Sequence, residues 1–278
     1  YIKLKDFFES RLFIILSVIA AACFVVFEYE AYGAIILLNL GAVALLCSEN
    51  IISALTPALL ACTFVIKCYD SAELFFPLWW TALFPIAAIV AYLIVFRKKI
   101  TVGKSFGGII AVSVAVTLGG LFTISPAEYF SGASMYYVIM LGFGMAAAYL
   151  LVRSHINETD RYNVFERYVE IMTVVGLFAC FVVFEYYVKN FSETLLLSKL
   201  AEIQWSNNIS TQIMFSMPFL LWYMQKNLAF FPLLLVNYGA LLLTGSRGGW
   251  AMGTLELVVC LAAYCILAKK GRAKTAVL

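Results

Sequence analysis

A polytopic, all-α bundle of transmembrane helices is the fold that three features of the chain predict. Hydrophobic residues make up 64% and charged residues 13%, with a mean hydropathy of +0.95; average soluble domains run at roughly 25% charged and could not cover their surface with so little. Apolar runs of about 16 to 23 residues recur along the full length between short polar breaks, and this is the length that crosses a hydrocarbon core. Lys and Arg concentrate in every second break, as in multi-pass proteins whose loops alternate sides. Residues 1–278 read as a single transmembrane domain. The net charge of +3 says little about partners beyond membrane lipids, and no nucleic-acid partner is expected.

Ten spans are expected, at 12–27, 31–47, 51–66, 74–96, 106–124, 135–152, 168–188, 208–225, 228–243 and 250–268. The first reads as a membrane helix rather than a cleavable signal. Several are near the lower length limit, which implies tilt or a thin local bilayer. Pro57, Pro77, Pro85, Pro218 and Pro232 lie in or at the ends of spans, where neighbouring helices can satisfy the freed backbone groups. With a cytoplasmic N-terminus, 15 of the 19 Lys and Arg residues fall inside and only Lys67, Lys189, Lys199 and Arg247 outside. That places both termini in the cytoplasm, with Lys269, Lys270 and Arg272 anchoring the last helix. The outer face then collects Glu28, Glu30, Asp70, Glu73, Glu128, Glu185, Glu193 and Glu202 as an acidic rim.

The connections add detail. The octapeptide Ala22-Cys23-Phe24-Val25-Val26-Phe27-Glu28-Tyr29 recurs as residues 179–186, each copy expected to end a helix at the outer surface. A parallel repeat or chance in a restricted alphabet would both account for it. His155, the single histidine, reads as a solvated residue of the cytoplasmic loop 153–161. The seven cysteines are scattered through apolar runs without CxxC spacing, which suits small apolar filler. No metal site and no cofactor are expected.

Three places could carry chemistry. The first is Leu242-Leu243-Thr244-Gly245-Ser246-Arg247-Gly248-Gly249-Trp250, the junction of the last two spans. Ser246 is a good N-cap for the helix that follows, which leaves the amides of Arg247, Gly248 and Gly249 pointing outward. Free amides, the positive end of a helix and an Arg fork suit a phosphate or pyrophosphate. An ordinary interfacial Arg at a membrane turn is the alternative. Arg247 falls on the face where orienting cations are scarce, which favours the ligand. The second place is Trp205-Ser206-Asn207-Asn208, where Asn208, Gln212 and Ser216 fall at i, i+4 and i+8. This face could bind sugar hydroxyls or phosphate oxygens, or make interhelical hydrogen bonds. The third is Glu256, an acid inside the last expected span, roughly 10 Å along the helix from Gly249. It could carry a proton, or be a neutral acid bonded to Asn237 or to serines.

Trp205-Ser206-Asn207-Asn208-Ile209-Ser210 leading into a helix with Pro218, then one intervening span, then Thr244-Gly245-Ser246-Arg247-Gly248-Gly249, resembles the O-antigen ligase and O-antigen polymerase superfamily. The likeness is specific over about residues 205–268. It implies an integral-membrane glycosyltransferase of the GT-C type, without a nucleotide-sugar site or essential metal, in the bacterial cytoplasmic (inner) membrane. Such enzymes move a glycan from an undecaprenyl-pyrophosphate carrier to an acceptor on the outer face. By resemblance the carrier pyrophosphate falls to Arg247, with Ser246, Gly248 and Gly249 beside it and Trp205, Asn207, Asn208 and Gln212 as glycan or carrier contacts. The family also has a large external loop that supplies a second Arg and a His. That loop is missing here, so the chain reads as a partial one, and no catalytic residue is assigned. A multi-pass transporter or flippase for a lipid or small anion, with Glu256 as its coupling site, is the alternative; a membrane scaffold is a third.

Overall fold

Capping side chains, as much as the apolar runs, set where the helices begin. The computed structural model describes residues 2–48, 50–68, 76–119, 138–156, 163–190 and 205–267, and among these every regular element is helical. A short α1 (Ile2–Phe8) leads into α2 (Arg11–Val26), capped by Ser10 Oγ, which accepts from Phe13 N at 3.2 Å. Then come α3 (Glu30–Cys47), a 3-10 turn at Ile51–Ala54 running into α4 (Leu55–Lys67), and a 3-10 segment at Phe76–Ala82 running into α5 (Leu83–Val95). After these come α6 (Phe106–Gly119) and a π-helical turn at Val138–Gly144 that continues as α7 (Met145–His155). The last four are α8 (Val164–Lys189), α9 (Ser206–Lys226), α10 (Phe231–Leu243) and α11 (Arg247–Leu267).

Four of the described helical stretches are long and apolar enough to cross a membrane: Glu30–Cys47, Pro77–Val95, Val164–Lys189 and Arg247–Ile266. The other expected spans that fall on described residues are shorter, or too polar. α9 has 21 residues, but Ser206, Asn207, Asn208, Ser210, Thr211 and Gln212 dilute its first two turns. Its neighbour α8 starts at Val164 rather than 168, because Asn163 Oδ1 accepts from Glu166 N at 3.1 Å and opens the helix a turn early. Expected positions within 120–137, 157–162, 191–204 and 268–278, along with Asp70 and Glu73, lie outside the described residues.

Two expectations are corrected. His155 is the last residue of α7 and is 5% exposed, not a solvated loop residue. Its Nδ1 lies 2.9 Å from Leu151 O, and its ring sits 5.2 Å from that of Tyr92. The repeated octapeptide ends a helix only in its first copy. There, Phe27 caps α2 and Glu28 turns out with φ 62°. In the second copy α8 runs on to Lys189, where Glu185 and Lys189 form an i,i+4 ion pair and Tyr187 OH donates to Leu243 O at 2.6 Å.

α8 is the axis of the packing. One side of it contributes Ile171, Val175, Phe178 and Val182 to a core shared with Val25, Leu37, Leu60 and Phe64 of α2–α4. The other side contributes Ala179 and Val183 to a core shared with Ile213, Met217, Leu220, Leu241 and Tyr264 of α9–α11. The outward surface stays apolar, as at Ile94, Val188 and Ile266, which are 72%, 76% and 81% exposed. A soluble domain would not carry so much exposed apolar area.

Charge collects at the two ends. At one end Lys67 pairs with Glu30 (2.6 Å) and Glu185 (3.2 Å), and Lys189 pairs with Glu28 (2.9 Å). The Lys189 ammonium holds the Glu28 carboxyl below the usual carboxylate range. At the other end Glu170 takes Arg167 at 2.9 Å and Arg11 Nε at 2.8 Å, while Lys226 pairs with Glu166 at 2.8 Å.

Candidate functional site

The turn between α10 and α11 lies at the Lys67–Lys189 end, joined to it by the Tyr187 bond to Leu243 O. Thr244 folds its hydroxyl back onto Leu241 O at 2.7 Å, and Gly245 then takes φ 71°, a left-handed conformation that an L side chain would strain. This reverses the chain within two residues and delivers Ser246 to the N-cap position. Ser246 Oγ accepts from Gly249 N at 3.0 Å and donates to Asn207 Oδ1 of α9 at 2.7 Å. One hydroxyl therefore caps α11 and ties it to α9. Trp250 Nε1 donates to Leu242 O at 2.9 Å, which satisfies another carbonyl at the end of α10.

Close packing holds the two helix starts together. A Cβ on Gly249 would come 2.7 Å from Ser210 Cβ and Oγ, nearer than side-chain atoms approach. Beside this contact lies a cavity of about 640 Å³. α9 lines it with Ser206, Asn207, Ser210 and Thr211, the turn lines it with Gly245–Gly249, and Met214 and Met252 supply its apolar part. Ser210 Oγ and Thr211 Oγ1 both donate to Asn207 O at 2.8 Å, so those hydroxyl protons are occupied.

What remains open in the cavity is a set of donors. Among the described residues the Arg247 guanidinium has no hydrogen bond or ion pair, and neither do the amides of Arg247 and Gly248. The Gly249 amide, expected to be free, is taken by Ser246 Oγ. Asn207 Nδ2 has no partner among the described residues either. Among the described residues that line the cavity, Arg247 is the only charged one. The arrangement can receive an anion through a planar fork and two backbone N–H groups, at the positive end of a 21-residue helix. Among the described residues no three His, Cys, Asp or Glu side chains converge as metal ligands.

The other candidates divide around this cavity. Trp205 stands just before α9 with its ring against Tyr186, centroids 5.6 Å apart, and does not line the cavity. Asn208 is exposed and also outside the lining. Gln212 turns to α4 and donates Nε2 to Thr63 Oγ1 at 2.7 Å, an interhelical contact. Ser216 is buried against Gly176, and Asn237 donates to it at 2.7 Å rather than to Glu256. Glu256 is half-buried on α11, with no hydrogen bond among the described residues. The polar stripe that faces the cavity is thus Asn207, Ser210 and Thr211, at i, i+3 and i+4, with the apolar Met214 continuing the same face at i+7, rather than Asn208, Gln212 and Ser216. From Asn207 the hydroxyls of Ser210 and Thr211 fall at i+3 and i+4, a spacing that shares one helix face. No protein-family model matches the chain, and no curated protein and no solved structure matches it.

Proposed function

We propose that the chain is a membrane-embedded glycan transferase that takes its donor from a lipid pyrophosphate, undecaprenyl-pyrophosphate by the resemblance noted above, on the outer face of a bacterial cytoplasmic membrane. The observation that carries this reading is Arg247. Lys67 and Lys189, at the same end of the bundle, are each held by carboxylates, whereas among the described residues Arg247 is left unpaired beside two free amides in a cavity whose lining shows no acid. In the proposed step an acceptor hydroxyl attacks the sugar C1, and the C1–O bond to the pyrophosphate breaks. The electron pair leaves with the pyrophosphate, where Arg247 and the amides of Arg247 and Gly248 meet the developing charge. Donors aimed at a leaving group in this way are typically worth about 3 to 4 kcal/mol each. The described residues of the lining place Arg247 and the free amides at the leaving group, and the acceptor hydroxyl gives up its proton to a general base as it attacks.

The test is glycan transfer from the lipid carrier by Arg247→Ala and Arg247→Lys. Transfer falls by roughly a hundredfold or more in Arg247→Ala, and Lys restores little of it because an ammonium does not grip two oxygens in one plane. Near-normal turnover in both variants would sink the reading. A second reading, a lipid or anion transporter, draws on the half-buried, unpaired carboxylate of Glu256 on the same helix. Transport would depend on an ion gradient and fail in Glu256→Gln, whereas transfer consumes the carrier without a gradient.

A further inference from the structure

At the opposite end of the bundle from Arg247, the connection between α5 and α6 carries the run Arg97-Lys98-Lys99-Ile100-Thr101-Val102-Gly103-Lys104. It is not helical, yet it is fixed to the end of α7. Thr101 N donates to Ser154 Oγ at 3.0 Å, and Thr101 Oγ1 donates to Arg153 O at 3.2 Å. Phe106 stacks on Tyr149 with centroids 5.9 Å apart. Gly103 crosses α7 so closely that a Cβ there would overlap the Tyr149 hydroxyl and lie 3.5 Å from Arg153 Nε. The result is one surface on which Arg153 joins the cations of the connection.

Two properties set this surface apart. Arg11, Lys67, Arg167, Lys189 and Lys226 all have carboxylate partners, whereas Arg97, Lys99, Lys104 and Arg153 are exposed and have none among the described residues. Between and before these cations stand branched apolar side chains turned outward: Ile94, Val95, Ile100 and Val102 are 72%, 69%, 70% and 64% exposed. Cations alternating with exposed apolar groups suit the boundary of a bilayer, where methyl groups enter the acyl region and cations meet phosphates. Cations that served only to orient the chain would need neither the apolar alternation nor the hydrogen bonds that hold the connection to α7.

We propose that the α5–α6 connection and the end of α7 form a binding site for an anionic phospholipid. Its phosphate lies among Lys99, Lys104 and Arg153, and its acyl chains lie along the exposed apolar residues. The site rests on the membrane-embedded part of the reading above and is independent of glycan transfer. The test uses the full chain, purified in detergent and offered phosphatidylglycerol or phosphatidylcholine at equal concentration, with retained lipid counted by native mass spectrometry. Phosphatidylglycerol is retained selectively, and Lys104→Gln with Arg153→Gln lowers that retention by roughly tenfold or more. Thr101→Pro removes the N–H that binds Ser154 and leaves every charge in place, and it lowers retention too. Should the first pair unfold in detergent, Lys99→Gln with Lys104→Gln, both on exposed positions, replaces it. Equal retention of the two lipids, unchanged retention in the charge variants, or displacement by millimolar inorganic phosphate would overturn the site. Release of the wild-type chain from membranes by alkaline extraction would overturn the membrane reading itself, and is scored separately.

Discussion

Two asparagine–serine pairs tie α9 to the helices that follow it, and they differ in what surrounds them. Asn237 of α10 is 0% exposed and donates to Ser216 Oγ at 2.7 Å, with Cys180 Sγ at 3.6 Å as its other neighbour. Ser216 itself fills the space left by Gly176, so three helices meet at that point. Asn207, by contrast, is exposed at the rim of a cavity. It accepts from Ser246 Oγ at 2.7 Å and leaves its amide N–H groups unused among the described residues. The chemistry of the two pairs is the same. The buried pair is enclosed by protein on every side and can only hold helices together, while the open pair orients a helix cap and still presents donors to a ligand. A polar side chain in an apolar helix becomes a candidate site through what lies open beside it, not through its type.

The same substitution made in both pairs is the most direct way to break this comparison, and it gives the largest effect. Asn237→Asp places a carboxylate at a fully buried position beside Ser216 and Cys180. A buried, uncompensated charge of this kind costs about 3 to 5 kcal/mol. Asn207→Asp keeps an oxygen for Ser246 Oγ and lies in the open, so stability changes by about 0.5 kcal/mol or less. Its new charge competes for Arg247, however, and lowers affinity for a pyrophosphate lipid by roughly tenfold. Thermal unfolding in detergent and binding of that lipid measure the two quantities. Equal loss of stability in both variants would remove the distinction.

Glycines on α11 sharpen the comparison at a smaller scale. Gly249→Ala drives a methyl group into Ser210 and separates α11 from α9, at about 1 to 3 kcal/mol. Next to it, a Cβ on Gly248 meets nothing within 4 Å. Gly248→Ala therefore leaves the unfolding midpoint unchanged or slightly raised, since Ala is the better helix former. Ser246→Ala falls between them at about 1 kcal/mol for a lost N-cap.

The same contrast explains how much was legible in the sequence. All-helical class and the helix start at Ser246 follow from local chemistry and could be read, whereas the cap at Asn163 opens α8 a turn before the apolar run that marks it in the sequence. The N-cap role of Ser246 could be read too, but its hydroxyl proton could not be placed, because Asn207 is 39 residues away in the chain. The polar stripe on α9 shows the limit most clearly. Asn208, Gln212 and Ser216 have a regular spacing, yet which side of a helix opens onto a cavity depends on Gly176, Thr63 and Gly249 in three other helices. The burial of His155 is hidden from the sequence for a similar reason, since its ring packs on Tyr92 of α5. A charged loop composition cannot report such a contact.

Gln212 provides the smallest effect and the cleanest control. Its Nε2 donates to Thr63 Oγ1 at 2.7 Å, but its Oε1 is buried without a partner. Gln212→Leu removes one interhelical hydrogen bond, worth about 0.6 kcal/mol in membrane helices. It also removes an unsatisfied carbonyl, whose burial had a cost of its own. The two terms oppose each other, so the unfolding midpoint moves little, and the proposed glycan transfer is expected to be retained. If transfer were lost while the midpoint held, the side of α9 turned toward α4 would belong to the site after all. The division between its packing stripe and its cavity stripe would then fail at the residue where it is drawn most sharply.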